Sequence, residues 1–382
     1  MKILVITGEL SGDLYAYLLV KKLRELLPSL YFIGIGGPRL RSLDVDILFS
    51  AEPLSLVGIP DFSRLKRYLF VLNRIKDLLR KRHVDLVLLV DFPGFNLRIA
   101  KFAKGLGYPV VYFVAPQVWA WYRRRIHLLR KYVDLLYVVL PFEEEFFKSY
   151  GVRAKYFGHP LLDVVKPHLS AELFYEVYGL KENVPIISFF PGSRESEVAR
   201  HIPIFLEVYR RLKEKNIEVQ GLMVKALGLR ESPLWEEARR AFKVLESVQY
   251  DVLKHSDLAV LASGTITLEA GLIGTPSVVV YSLPPLVYHL AKRLVKVPFI
   301  SLPNLILQKA IYPEIIVERE GLKCLANVVE ELLFDEEKRR EMKEALARLP
   351  IEVGPPGAIR RIAEDFINFI ELFKHQRRPL TG

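Results

Sequence analysis

The sequence predicts an α/β protein made of two Rossmann-like, doubly wound domains facing a central cleft, and three observations predict it. Short β-branched apolar runs alternate with amphipathic helical patterns, the signature of a parallel sheet with helical crossovers. The alternation pauses at GHPLLDVVKPHLS, where Pro160 and Pro167 bracket a linker, and then begins again. The chain has 382 residues, more than one core usually serves.

In chain order, KILVITG reads as the first strand and LYAYLLVKKLRELL as the helix after it. LYFIGIGG, VDLVLLVDF and YPVVYFVA repeat the buried-strand pattern between helical segments. The second series runs through VPIISFFPG, IEVQGLMVK, SDLAVLASG and PSVVVYS, with helices such as IPIFLEVYRRLKEK between them. After RLPIEVGPPGA, a last helix sets Ile359, Ile362, Ala363, Phe366, Phe369 and Phe373 along one apolar stripe. The expected domains are 1–165, 166–353, and a C-terminal helix at 354–382 that packs back on the first domain or on a partner subunit. Ligands of open α/β sheets bind at the carboxyl ends of the strands, so the site is expected in the cleft.

Composition narrows the functional classes. The chain is 51% hydrophobic and 26% charged, ordinary globular material. Its lone cysteine, Cys324, excludes an internal disulfide framework and a multi-cysteine zinc site, and fits a reducing compartment. The apolar run Ile3 to Thr7 is too short for a signal-peptide core, and no run approaches the roughly 18 apolar residues of a spanning helix. A cytoplasmic protein is expected. A formal net charge of +11 favours polyanionic partners: nucleic acid, an anionic membrane or phosphorylated substrates.

The motifs are more specific. GELSGD, Gly8 to Asp13, follows the first strand and opens the first helix, where backbone N–H groups favour an anion. Glu9 and Asp13 would repel a phosphate, however, and a glycine turn capped by Ser11 or Asp13 fits the spacing equally well. GIGGPR has Arg39 where a dinucleotide fingerprint needs its third glycine, and no GK[ST] loop occurs. Asp44 and Asp46 read as a solvated strand end, so no metal and no cofactor are expected. In FFPGSRESE, Gly192, Ser193 and Arg194 stand between a strand and a helix, a seat for a diphosphate. ASGTITLEAG repeats the geometry with Ser263, Gly264 and Thr265, and Glu269 one turn in could accept from two ribose hydroxyls. Either motif alone is equally a capped helix start; two in one sheet point to a nucleotide.

Two further segments join basic and apolar residues. Leu65, Leu69, Leu72, Ile75 and Leu79 form a stripe flanked by cations that include Arg67 and Lys76, the pattern of an interfacial helix or equally of a core crossover helix. VWAWYRRR offers Trp119, Trp121 and three arginines, suited to a lipid phosphate or to packing beside a solvated run. Nucleic-acid binding is the reading from another class, without a recognisable reader motif.

The combination GELSGD, LVGIP, DFPGFN, APQVWAW, FGHP, PGSR, ASGTITLE and SLPN, in this order over most of the chain, resembles the lipid A disaccharide synthase family. The resemblance implies a glycosyltransferase-B fold, with UDP-sugar on residues 166–353 and the acceptor on the first domain, which would also face the membrane. It implies inverting transfer from UDP-diacylglucosamine to diacylglucosamine 1-phosphate (lipid X), giving a tetraacyl disaccharide 1-phosphate and UDP. It further implies peripheral association with the inner surface of the cytoplasmic membrane, no nucleic acid, and allows a homodimer exchanged through the C-terminal segment. By motif, Asp91 is the implied catalytic base, Arg194 a diphosphate contact, Glu269 the ribose contact and Asn304 another donor residue. Glu9, Ser11, Gly12, Asp13, Asn96, Gln117 and Trp119 are expected around the acceptor. Leu10 and Gly94 depart from the family pattern, and Gly94 removes a rival base. A UDP-sugar epimerase or hydrolase of the same fold is the nearer alternative.

Overall fold

The computed structural model describes residues 1–8, 10–51, 62–120, 122–282, 298–317 and 321–377. Glu9, Trp121 and the LVGIP motif at 56–60 lie outside the described residues. The chain divides into one unit of Met1–Asp163 with Gly354–Gly382 and a second of Val164–Val353.

In the first unit, β1 (Lys2–Ile6), α1 (Leu10–Leu26), β2 (Tyr31–Gly36), α2 (Pro38–Arg41) and β3 (Asp46–Ser50) come first. They are followed by α3 (Phe62–Arg80), β4 (Leu86–Val90), α4 (Pro93–Gly105), β5 (Val110–Phe113) and α5 (Arg125–Tyr132). Then come β6 (Leu135–Val138), α6 (Glu143–Ser149), β7 (Ala154–Tyr156) and, at the junction, α7 (Leu161–Val164). The seven strands are parallel in the order β3-β2-β1-β4-β5-β6-β7. The chain winds from β1 to one side as far as β3, then returns to β4 on the other side. The winding direction reverses between β1 and β4, where a doubly wound sheet leaves room at its strand ends.

The second unit has the same design. Its elements are α8 (Ala171–Tyr178), β8 (Ile186–Phe190), α9 (Glu195–Glu214), β9 (Gln220–Lys225), α10 (Pro233–Ala241), β10 (Lys243–Glu246), α11 (Gln249–His255) and β11 (Leu258–Ala262). After these come α12 (Thr265–Ile273), β12 (Ser277–Tyr281), α13 (Leu302–Leu307), β13 (Glu314–Ile316), α14 (Gly321–Phe334), α15 (Glu336–Leu346) and α16 (Leu349–Glu352). Six parallel strands run β10-β9-β8-β11-β12-β13, so this reversal falls between β8 and β11. The central strands LVLLV (β4) and IISFF (β8) are buried at every position, as strands covered on both faces must be.

The last helix, α17 (Ala358–Arg377), belongs to the first unit and packs along α1. Its buried stripe is Ile359, Ile362, Ala363, Phe366 and Ile370; Phe369 and Phe373 stand at its edge, where the sequence pattern had put them inside. Asp365 fastens the helix to the sheet, accepting from the Tyr137 hydroxyl at 2.8 Å and pairing with Lys155 at 2.5 Å.

Candidate active site

Each reversal point carries motifs singled out in the sequence. In the first unit, β1 leads into GELSGD and β4 into DFPG, and the two turns touch. A Cβ on Gly8 would stand 2.2 Å from the Phe92 ring, and one on Gly12 would stand 3.6 Å from the Asp91 Cβ and 2.4 Å from Thr7 Oγ1. Glycine at both positions is what lets the turns close. Asp91 is half-buried, and both it and Phe92 have left-handed backbones, with φ of 49° and 51°. Val114, just past the neighbouring β5, is left-handed too, with φ of 63°. Three such residues other than glycine, one of them β-branched, mark this rim as a place where backbone strain is concentrated.

The neighbours of Asp91 divide by task. Asn96, fully buried on α4, donates from Nδ2 to the carbonyls of Asp91 at 2.7 Å and Val90 at 3.2 Å. Asn96, expected around the acceptor, is thus placed with its amide gripping the backbone under Asp91. Asp13 is committed to the backbone in the same way. Its buried carboxylate accepts from the N–H groups of Gly37 at 2.7 Å and Arg39 at 2.9 Å, capping α2, and burial raises its pKa against the pull of these bonds. Gly12 is buried, whereas Ser11 is half-buried and Gln117 exposed. Trp119, half-buried, donates from Nε1 to Glu143 Oε1 at 2.9 Å and meets Phe142 edge-on at 5.1 Å.

Glu143 gave no signal in the sequence beyond its place in an acidic run. It is 1% exposed and takes, besides Trp119, the N–H groups of Val139 at 3.2 Å and Leu140 at 3.0 Å. It thus ties the APQVWAW loop to the end of β6. Burial pushes its pKa up to about 7, opposed by those three donors. His159 of FGHP is buried as well, and burial lowers its pKa to about 3, so the ring is neutral and its Nδ1 accepts from Leu161 N–H at 3.1 Å.

In the second unit, PGSR follows β8 and SGT follows β11, side by side because Phe190 pairs with Leu261. Gly192 has φ of +114°, and a Cβ there would stand 2.6 Å from Glu197 Oε2. Glu197 is the unforeseen member. Its carboxylate accepts from Ser193 N–H at 3.1 Å and Arg194 N–H at 3.3 Å and pairs with the Arg194 guanidinium at 2.7 Å. The amides that the sequence offers to a phosphate are thus held by a resident carboxylate. His201, one turn further along α9, meets the Pro191 carbonyl through Nδ1 at 2.8 Å and fixes the turn from below. Gly264 caps α12, and its carbonyl accepts from Thr267 Oγ1 at 2.8 Å; Thr265 opens the helix, Ser263 N–H donates to Val280, and Glu269 is 8% exposed.

Asn304, expected beside the donor, has its side chain committed within the protein. Its Oδ1 accepts from Ile311 and Tyr312 N–H, both at 2.9 Å, while Nδ2 donates to the Tyr312 carbonyl at 2.8 Å and Glu314 at 2.9 Å. All four bonds of its buried side-chain amide are made within the protein, so the Asn304 side chain supports the SLPN turn. Among the described residues, no group of three or more His, Cys, Asp or Glu is placed to hold a metal ion.

The basic stripe on α3 is split between two environments. Tyr68, Val71, Leu72, Ile75 and Leu79 enter the core, whereas Leu65, Leu69 and Phe70 are 40%, 46% and 53% exposed. Of the two readings left open for the stripe, Leu72 takes the core one: at 5% exposure it lies on the core side of the helix, which removes it from any membrane-facing set. Arg67 is exposed, Arg74 covers the Phe70 ring at 5.3 Å, and Lys76 lies over Phe102 at 5.5 Å. The helix is also bolted to the Asp91 turn, since the Tyr68 hydroxyl donates to the Gly94 carbonyl at 2.9 Å.

Comparison with known proteins identifies relatives over nearly the whole chain. The family model described as lipid-A-disaccharide synthetase matches residues 3–355. The chain is 38% identical over 380 residues to the lipid-A-disaccharide synthase of Solibacter usitatus, covering 97% of this chain and 99% of that protein. It is 36% identical over 366 residues to that of Syntrophus aciditrophicus, covering 94% and 96%. Among solved structures, the UDP-GlcNAc 2-epimerase from Neisseria meningitidis bound to UDP-GlcNAc shares the fold at a TM-score of 0.64 and 12% identity, covering 96% of this chain and all of that one.

The raised pKa of Glu143 has a signed consequence. Between its ordinary value of 4.5 and about 7, the folded protein holds a proton that the unfolded chain has released, so stability falls as pH rises through that window and levels off above it. Urea unfolding from pH 5 to 8 should show a decline of about 1 to 3 kcal/mol that Glu143→Gln removes. An unchanged pH slope in that variant would place the titration elsewhere.

Proposed function

The chain belongs to the lipid-A-disaccharide synthetase family, and from that membership we propose that it transfers diacylglucosamine from UDP-diacylglucosamine to lipid X with inversion. The products are the tetraacyl disaccharide 1-phosphate and UDP. The observation that carries the assignment of roles is the coincidence of motif and topology: each sheet has one reversal point, and the carboxylate motif stands at the first while both anion motifs stand at the second.

In this reading the acceptor hydroxyl attacks the anomeric carbon in line with the departing UDP, and Asp91 takes its proton. The Arg194 guanidinium and the amide ends of α9 and α12 hold the diphosphate, which supplies the charge stabilisation that the leaving group needs. Use of the Ser193 and Arg194 amides by a phosphate requires Glu197 to swing away. Glu269 serves the ribose. Ser11, Gln117 and Trp119 border the acceptor, and Glu143 keeps the Trp119 loop in register.

Both substrates carry acyl chains, so access from a lipid surface follows. We place the peripheral contact with the inner surface of the cytoplasmic membrane on the outer side of α3, where Leu65, Leu69 and Phe70 are exposed among cations. No helix among the described residues is long and apolar enough to cross a membrane.

Two experiments test the reading. Asp91→Asn should lower turnover by roughly 100-fold to 10,000-fold with UDP affinity unchanged. Arg194→Ala should instead weaken UDP binding by about 1.5 to 3 kcal/mol in calorimetry. UDP release that does not depend on lipid X would favour the epimerase or hydrolase alternative, and wild-type turnover in Asp91→Asn would remove the base. For the membrane face, replacing Leu69 and Phe70 by glutamine should reduce partition onto anionic vesicles about tenfold or more while the melting temperature holds. Equal partition of the variant and the parent would dismiss α3 as the contact.

A further inference from the structure

The carbonyl of Asp91 is held by two side chains that no ligand can reach. We propose that Tyr112, together with Asn96, is a positioning residue that aims the Asp91 carboxylate by gripping the Asp91 backbone. The inference rests on the reading of Asp91 as the base and adds to it the device that sets the base's direction.

The geometry begins with the sheet. Asp91 N–H still donates to the Phe113 carbonyl at 3.0 Å, so on its amide side the residue continues the β4–β5 ladder. At its own φ of 49° the chain leaves the ladder, and Phe92 follows with φ of 51° and ψ of 54°. Neither residue is glycine, and left-handed steps of this kind are strained and persist only where the surrounding structure holds them. The enforcement is visible. The Tyr112 hydroxyl, from β5, donates to the Asp91 carbonyl, and Asn96 Nδ2, from α4, donates to the same oxygen at 2.7 Å. Phe92 lies against Gly8 and stacks on Phe95 at 5.5 Å, which fixes the other end of the turn.

Both gripping residues are 0% exposed, so they act through Asp91 and not on a substrate. Tyr112 stays a donor at every working pH, because burial and the nearby Asp91 charge hold its hydroxyl well above its ordinary value. Were the turn to relax to an ordinary strand, the carboxylate would swing with its backbone. Displacement of a catalytic group by about 1 Å is enough to cost roughly 100-fold.

Tyr112→Phe removes one oxygen and leaves the ring packing intact. In the full chain it should lower kcat about 10-fold to 100-fold, with the KM for UDP-diacylglucosamine and lipid X within about twofold of the parent. The decisive measurement is the same substitution in an Asp91→Asn background. If Tyr112 works through the carboxylate, it has nothing further to remove there, and the double variant should match Asp91→Asn alone. An equal fold-loss in both backgrounds would show a merely structural role and overturn the inference. So would wild-type kcat in Tyr112→Phe beside an inactive Asp91→Asn, an outcome that leaves the base in place. Wild-type turnover in Asp91→Asn would overturn the base and the positioning together. Asn96→Ser, which withdraws the second grip from a different element, should give the same non-additive pattern if Tyr112→Phe does not fold.

Discussion

A strand buried on both faces has room for apolar side chains and almost nothing else, and this constraint governs where chemistry can stand in the protein. β4 and β8 are apolar and buried along their length, apart from Ser188, whose hydroxyl is satisfied by Ser256 Oγ at 2.8 Å. Polar function is therefore displaced to the first residues beyond each strand. Parallel pairing sends all those residues to one edge of the sheet, and the reversal of winding leaves a gap there. Asp91 in the first sheet and Ser193, Arg194 and Ser263 in the second occupy such positions. The two motif sets are separated by about a hundred residues in sequence, yet the same rule puts each of them next to a reversal.

A second regularity concerns the acids. Beside a net charge of +11, many carboxylates are turned toward backbone amides. Asp13 caps α2, Asp251 takes the N–H groups of His168 and Leu169, Asp257 takes that of Ile186, and Glu314 those of Ile300 and Ser301. Amides at loops and strand starts that the ladders leave over are satisfied by charge-assisted bonds. The acids that do this are drawn inward, while cations such as Arg67, Arg123 and Arg124 remain exposed.

This division explains what was legible in the sequence. The order of eight strands follows from periodicity, whereas β3, β6, β7, β10 and β13, short strands toward the sheet edges, are not read from the sequence. The turns after β4, β8 and β11 announce themselves by glycine, proline and polar residues at the end of an apolar run. What a polar residue does at such a turn is another matter, since it depends on partners remote in sequence. Asn304 has the right type and place for a ligand contact, but it is used up by residues 311 to 314. Glu197 reads as an ordinary helix-start acid until its carboxylate is seen on the Ser193 and Arg194 amides. Tyr112 reads as one more strand aromatic. On α3 the pattern gave the stripe but not its division, because Leu69 and Leu72 lie near one another on the helix and only the neighbouring core decides which is covered.

The return of α17 to the first unit bears on how the chain is made. The first sheet is translated by residue 156, but Ile362 and Phe366, both fully buried, and Asp365, which holds Tyr137 and Lys155, arrive some two hundred residues later. At ordinary translation rates this is a delay of roughly 10 to 40 s. During it, the face of α1 that α17 covers waits on the ribosome while the whole second unit emerges. A helix made after the second unit thus closes the unit made before it, so a nascent chain that stops short of α17 leaves the earlier unit unfinished.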